Sequence, residues 1–171
     1  MGRIRIKICG ITRLEDARKA VELGIDALGF NFYTGSPRYI SPKKAKEISL
    51  QLPPFVSLVG VFVNENLEVI QEIAKFSFLD AIQLHGEETP EFVEALDLPV
   101  IKAFRIKDRE SITQVKGFIG KVKAFLLDAY MKGKKGGTGK IFNWEIARKI
   151  KDLNVPLILA GGINPGNVSE A

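Results

Sequence analysis

Seven short apolar runs alternate with segments of helical period along the whole chain, and this alternation limits the fold more than any other feature. The runs are "RIRIKI", "DALGFNF", "VSLVGVFV", "DAIQL", "PVIKAF", "VKAFLLD" and "PLILAG". Several are continuous rather than alternating, as in strands covered on both faces. The segments between them carry helix starts and stops. Thr12 and Glu15 have the spacing of a capping box ahead of Leu14, Ala17 and Val21, with Gly24 to close the helix. Ser41-Pro42 supplies an N-cap and a first-turn proline ahead of Ala45, Ile48 and Leu52. Asn64 is a predicted cap ahead of Leu67, Ile70 and Ala74, and Thr89-Pro90 ahead of Phe92, Val93 and Leu96. Asp108 and Asn143 are the next two, with Gly117 weakening the fifth helix, and Asn164-Pro165 opens a seventh.

A strict βα alternation calls for parallel strands joined by crossovers, which leaves a closed barrel or an open doubly wound sheet. No G-x-G-x-x-G follows the first run, and the glycine-rich loops fall late in the chain. The expectation is therefore an α/β fold, a (β/α)8 TIM barrel with about seven βα units and no eighth strand in the chain. The chain has 171 residues, 46% of them hydrophobic, and no linker or low-complexity segment divides it. Residues 1–171 are read as a single (β/α) barrel domain, C-terminally incomplete, since the fold typically takes about 250 residues.

Composition narrows the partners. The net charge of +5 comes from 25 Lys and Arg mixed with 20 Asp and Glu along the chain, which describes a mixed surface rather than a basic stripe. The one basic concentration, Lys132, Lys134, Lys135 and Lys140, surrounds a glycine cluster and suits an anionic small molecule better than a duplex. No nucleic-acid partner is expected. No run of about 18 apolar residues offers a membrane span. With one cysteine and no signal-peptide pattern, a cytoplasmic location is expected.

In a barrel, side chains at the C-terminal ends of the strands converge on the mouth where chemistry sits. Those ends read Cys9, Asn31, Asn64, His85, Arg105, Asp128 and Gly161-Gly162. A lone cysteine serves as a small core filler or as a thiol whose ordinary pKa, about 8.5, needs only a modest downward shift to accept a proton. No His or Cys adjoins it, which argues against a redox pair and against a metal. Asp128 is either a loop-capping aspartate or a general acid facing a thiol base, a combination that suits a proton-moving isomerisation. His85 is the only histidine, a structural residue or a ligand contact. Arg38, in "GSPRYIS", faces solvent or grips a carboxylate. The loop "MKGKKGGTGK" reads as a solvated loop or as a lid over an anion. Gly161 and Gly162, ahead of Asn164-Pro165, make a tight turn or a phosphate site.

Taken in order, "KICGIT", "GFNFY", "SPRYIS", "VGVFVN", "IQLHG", "LLDAY" with "GGTGK" and "FNW", and "LILAGGINPGNV" resemble phosphoribosylanthranilate isomerase, an enzyme family of tryptophan biosynthesis. The resemblance spans essentially the whole chain. It implies a TIM barrel of the ribulose-phosphate-binding type, no cofactor and no metal. It also implies an Amadori rearrangement of N-(5-phosphoribosyl)anthranilate to 1-(2-carboxyphenylamino)-1-deoxyribulose 5-phosphate. By the same resemblance Cys9 is the general base, Asp128 the general acid and Arg38 the holder of the anthranilate carboxylate. Gly161, Gly162, Gly137 and Gly139 fall to substrate binding, and His85 to the substrate side. Family members continue into an eighth strand that completes the phosphate site, so the first and seventh strands are expected as edges. The chain is then either the isomerase itself, possible as a homodimer, or a catalytically silent fragment acting as a folding and association module.

Overall fold

The computed structural model describes residues 3–106, 111–129 and 145–170. All seven expected strands form, alternating with helices in an α/β chain. The chain divides into two compact units, one of residues 1–88 and 95–99, the other of residues 89–94 and 100–171.

The first unit holds β1 (Lys7–Cys9), β2 (Ala27–Asn31), β3 (Ser57–Phe62) and β4 (Ala81–Leu84). They pair in chain order, all parallel, with Cys9 opposite Gly29 and Asn31 opposite Val61. The helices α1 (Leu14–Glu22), α2 (Pro42–Ser49) and α3 (Leu67–Phe76) bury one stripe each: Ala17 and Ala20, Ala45 and Ile48, Ile70 and Ala74. Leu28, Phe30, Ile82 and Leu84 are fully buried, as the continuous apolar runs require. Phe32 and Phe62 stack at 5.2 Å between ring centroids.

Two of the expected helix starts move. α1 begins at Leu14 behind Arg13, so Thr12 lies outside the helix and the capping box does not form. Arg13 instead grips Asp16 through Nε and Nη2 at 2.9 and 2.8 Å. The guanidinium holds the Asp16 carboxyl below its ordinary range, and the carboxylate faces the positive end of the helix dipole. Gly24, at φ 79°, closes α1 as expected. For α3 the N-cap is Asn66 rather than Asn64. Asn64 takes a left-handed φ of 52° that asparagine tolerates, and its side chain serves a loop described below. Ser41 caps α2 as predicted, accepting from Lys44 N at 3.3 Å, with Pro42 in the first turn.

The second unit holds β5 (Val100–Ile106), β6 (Ala124–Ala129) and β7 (Leu157–Leu159), again parallel and in chain order. α4 (Pro90–Glu94) starts at Thr89, whose Oγ1 accepts from Phe92 N at 3.3 Å. α5 (Ser111–Lys116) stops before Gly117, and α6 (Glu145–Lys151) sets Arg148, Lys149 and Lys151 in its last turn, where cations favour the dipole. Phe125 meets Phe104 edge-on at 5.3 Å, and Phe104 meets Phe118 at 5.4 Å. The seventh helix expected from Asn164-Pro165 is a series of turns over residues 165–170, opened by a bond from Val168 N to Asn164 O at 3.0 Å. Asp108 and Asn143 lie outside the described residues.

The strands expected as edges behave as such: among the described residues β1 pairs with β2 and β7 with β6. Ile4 and Ile6 are more than half exposed, and every residue of β7 is only partly buried. No helix among the described residues is long and apolar enough to cross a membrane.

Candidate active site

Cys9 ends β1, half-buried, and its surroundings are carved by glycine. Gly29 lies beside it in register, where an added Cβ would stand 2.8 Å from Sγ and 3.1 Å from Cys9 Cα. The bare backbone of β2 thus leaves the thiol its room. Gly10 follows at φ 88°, a conformation L side chains rarely adopt, and an added Cβ there would meet Arg38 Cδ at 2.6 Å. Arg38 lies across this glycine and donates from Nη1 to the Cys9 carbonyl at 3.0 Å. The residues read as base and carboxylate clamp are therefore neighbours, although 29 positions separate them.

Asn31 builds the loop that carries Arg38. Its Oδ1 accepts from Tyr33 N at 3.0 Å and its Nδ2 donates to Ser36 Oγ at 3.1 Å. Ser36 Oγ then accepts from Arg38 N at 3.1 Å. Asn31 was read only as a strand-end residue and Ser36 was not singled out; the turn-forming composition of "YTGSPR" was the available signal for their part in this loop.

His85 follows β4, its backbone N–H bonded to Phe62 O at 2.9 Å. Its Nδ1 lies 3.1 Å from Gln83 Nε2. The next turn is tied by Glu88, a buried carboxylate that accepts from Asn64 N at 2.8 Å and from Gly86 N through both oxygens at 3.2 and 3.1 Å. Asn64 Oδ1 accepts in turn from Glu87 N at 2.6 Å. A side chain on Gly86 would run into Asn64 Oδ1 and Glu88 Oε1, so only glycine fits beneath this clamp. The loops after β3 and β4 are thus joined around His85.

In the second unit Asp128 is 4% exposed near the end of β6, directly opposite Arg105 of β5 in the parallel register. A buried carboxyl needs polar partners to offset its lost hydration. Gly161 and Gly162 both take left-handed φ values, 79° and 72°, which restricts the pair to glycine. Gly162 O accepts from Asn164 Nδ2 at 3.0 Å and from Asn167 Nδ2 at 2.9 Å, and Asn164 Oδ1 accepts from Gly166 N at 2.9 Å. The turn after β7 is thereby set by side-chain amides. Gly137, Gly139 and the lysine cluster lie outside the described residues.

Comparison with known proteins places the chain in a family. The family model for N-(5'-phosphoribosyl)anthranilate (PRA) isomerase matches residues 6–171. N-(5'-phosphoribosyl)anthranilate isomerase of Geobacter metallireducens is 51% identical over 168 residues, 98% of this chain and 82% of that one. Phosphoribosyl anthranilate isomerase of Thermotoga maritima superposes with a TM-score of 0.92 at 44% identity, covering 98% of this chain and 82% of that one. Monomers generated from the dimeric enzyme of that organism give 0.87 at 40%, covering 98% and 80%. A phosphoribosyl anthranilate isomerase in complex with reduced 1-(o-carboxyphenylamino)-1-deoxyribulose 5-phosphate gives 0.88 at 42%, again covering 98% and 80%. The chain belongs to the N-(5'-phosphoribosyl)anthranilate isomerase family.

Proposed function

We propose that this chain catalyses the Amadori rearrangement of N-(5'-phosphoribosyl)anthranilate to 1-(2-carboxyphenylamino)-1-deoxyribulose 5-phosphate in tryptophan biosynthesis. The carrying observation is identity of about half across nearly the whole chain to a relative of that name. The finer architecture we propose is a (β/α)8 barrel of the ribulose-phosphate-binding type, with residues 1–171 as one domain of it. Turnover of N-(5'-phosphoribosyl)anthranilate by the purified chain tests the reading. A well-folded chain that converts substrate no faster than buffer would sink it.

The reaction moves protons and needs no electron carrier. Asp128 protonates the ribose ring oxygen, the bond from that oxygen to C1' breaks, and the anthranilate nitrogen takes up the charge as a Schiff base. Cys9 as thiolate removes the proton from C2', giving an enolamine. Loss of the enol proton and protonation at C1' yield the ketone. The place of Asp128 near the end of β6 supports its role. The space that Gly29 leaves for Sγ supports that of Cys9. Gly161 and Gly162 hold part of the phosphate through backbone N–H groups, Gly137 and Gly139 belong to substrate binding, and His85 meets the substrate.

Arg38 grips the anthranilate carboxylate, a planar group that suits its fork of donors. Arg38→Lys keeps the charge and loses the fork. KM should rise roughly 10- to 100-fold, the worth of a charge-assisted hydrogen bond, with kcat within a few-fold of the parent. An unchanged KM would remove Arg38 from the clamp.

A second copy of the chain is the proposed partner. Phe55 is fully exposed at φ 71°, after two prolines, and Leu50, Phe76 and Phe78 of the same unit are 65%, 43% and 52% exposed. A bulky residue held out in a left-handed conformation is a costly thing to leave in water. A dimeric relative supports covering it with another copy. Phe55→Asp should shift the sedimentation mass from dimer to monomer, whereas equal masses would leave Phe55 out of the contact.

A further inference from the structure

The only histidine of the chain is oriented by a side chain that the sequence reading left unassigned. Gln83 lies two residues before His85, so the two project from the same side of the strand. Gln83 is 2% exposed, with Nε2 at 3.1 Å from His85 Nδ1. Its Oε1 is equally buried and has no hydrogen-bond partner among the described residues. An amide nitrogen donates and does not accept, so with Nε2 set against the ring Nδ1 is the acceptor. A neutral imidazole accepting at Nδ1 carries its proton on Nε2.

We propose that Gln83 is a positioning residue that locks neutral His85 in its Nε2–H tautomer, so that the ring offers the substrate a donor and not a lone pair. The substrate contact rests on the proposed function; the tautomer does not. An Nε2–H suits an oxygen of the sugar or of the anthranilate carboxylate. A ring nitrogen already bearing a proton also cannot act as a base, which leaves proton removal to the thiol. The backbone beyond the ring is held by the Glu88 carboxylate on Gly86 N, so the amide of Gln83 has one ring position to satisfy.

A single histidine makes the test clean. In the chain labelled with 15N-histidine, long-range 15N–1H correlation spectra should show the Nε2–H form, free and with reduced 1-(o-carboxyphenylamino)-1-deoxyribulose 5-phosphate bound. Gln83→Glu, which only accepts, should move the proton to Nδ1 or give the imidazolium. Gln83→Met should lower kcat/KM about tenfold, the worth of one hydrogen bond. Added to His85→Ala it should cost nothing further, because Gln83 acts through the ring. A wild-type spectrum with Nδ1–H or with mixed tautomers overturns the proposal, even if the Gln83 variants fail to fold. Losses that multiply in the double variant overturn it too. An Nε2–H spectrum beside wild-type turnover by His85→Ala overturns the substrate contact alone, and with it the part given to His85 in the proposed function.

Discussion

Cys9→Ala should abolish measurable turnover while leaving the affinity for reduced 1-(o-carboxyphenylamino)-1-deoxyribulose 5-phosphate within a few-fold of the parent. General base catalysis contributes about 10²- to 10⁴-fold, and alanine offers no atom to take the C2' proton. The substitution keeps Cβ, so the Cys9–Gly29 pairing and the Arg38 bond to the Cys9 carbonyl have no reason to change. Loss in kcat with binding retained is the mark of a group that acts on the transition state. Cys9→Ser separates base from shape: the hydroxyl fits the same space but ionises far less readily, so its rate should stay close to that of the alanine variant. Asp128→Asn is the matching test of the acid, since the amide preserves size and accepts a hydrogen bond but delivers no proton. Wild-type-like rates in Cys9→Ala, measured by steady-state turnover, would remove the thiol from the mechanism and return it to the core.

The second large effect concerns stability. Phe125 is fully buried, sits edge-on against Phe104, and bonds through its backbone N to Pro156 O at 2.9 Å. Phe125→Ala removes the ring from β6 and leaves a cavity that the strands on either side cannot collapse into without breaking their ladder. Such truncations cost about 3–5 kcal/mol against a total stability of about 5–15 kcal/mol. At roughly 2–4 °C per kcal/mol for a chain of this size, the midpoint of thermal unfolding should fall by about 10 °C. Calorimetry decides it, and a fall of less than about 2 °C would mean that the aromatic cluster repacks. Activity at low temperature should survive, because Asp128 faces away from this cluster by strand alternation.

The strands and most helix limits were legible because their causes are local. A short apolar run bounded by glycine, proline or a capping residue specifies a strand or a helix whatever lies around it, which is why Ser41-Pro42, Thr89 and Gly24 do what their neighbours in sequence imply. Where a local rule failed, a distant partner had taken the residue. Asn64 caps no helix because its amide oxygen serves Glu87 N and its own N–H serves Glu88, 24 residues on. Thr12 caps none because α1 starts one residue later, behind Arg13, with no side-chain cap.

The site divides in the same way. Cys9, Asp128, His85 and Arg38 stand out in the sequence because polar or reactive residues close apolar runs, and the family resemblance assigns them roles. What orients Arg38 and the turn after His85 lies in specific bonds, some across the fold, as Arg38 on the Cys9 carbonyl and Glu88 on Asn64, and some within a loop, as Asn31 on Ser36. Periodicity reports which face of an element is buried and says nothing about what another element sets against it. The amino-acid sequence by itself determined seven strands, their order and the residue types at their ends, because each follows from the burial pattern of a few consecutive residues. Only the tertiary structure decided that glycines at 10, 29 and 86 are spaces kept for other side chains and that Gln83 holds His85, because those facts depend on atoms brought together by the fold.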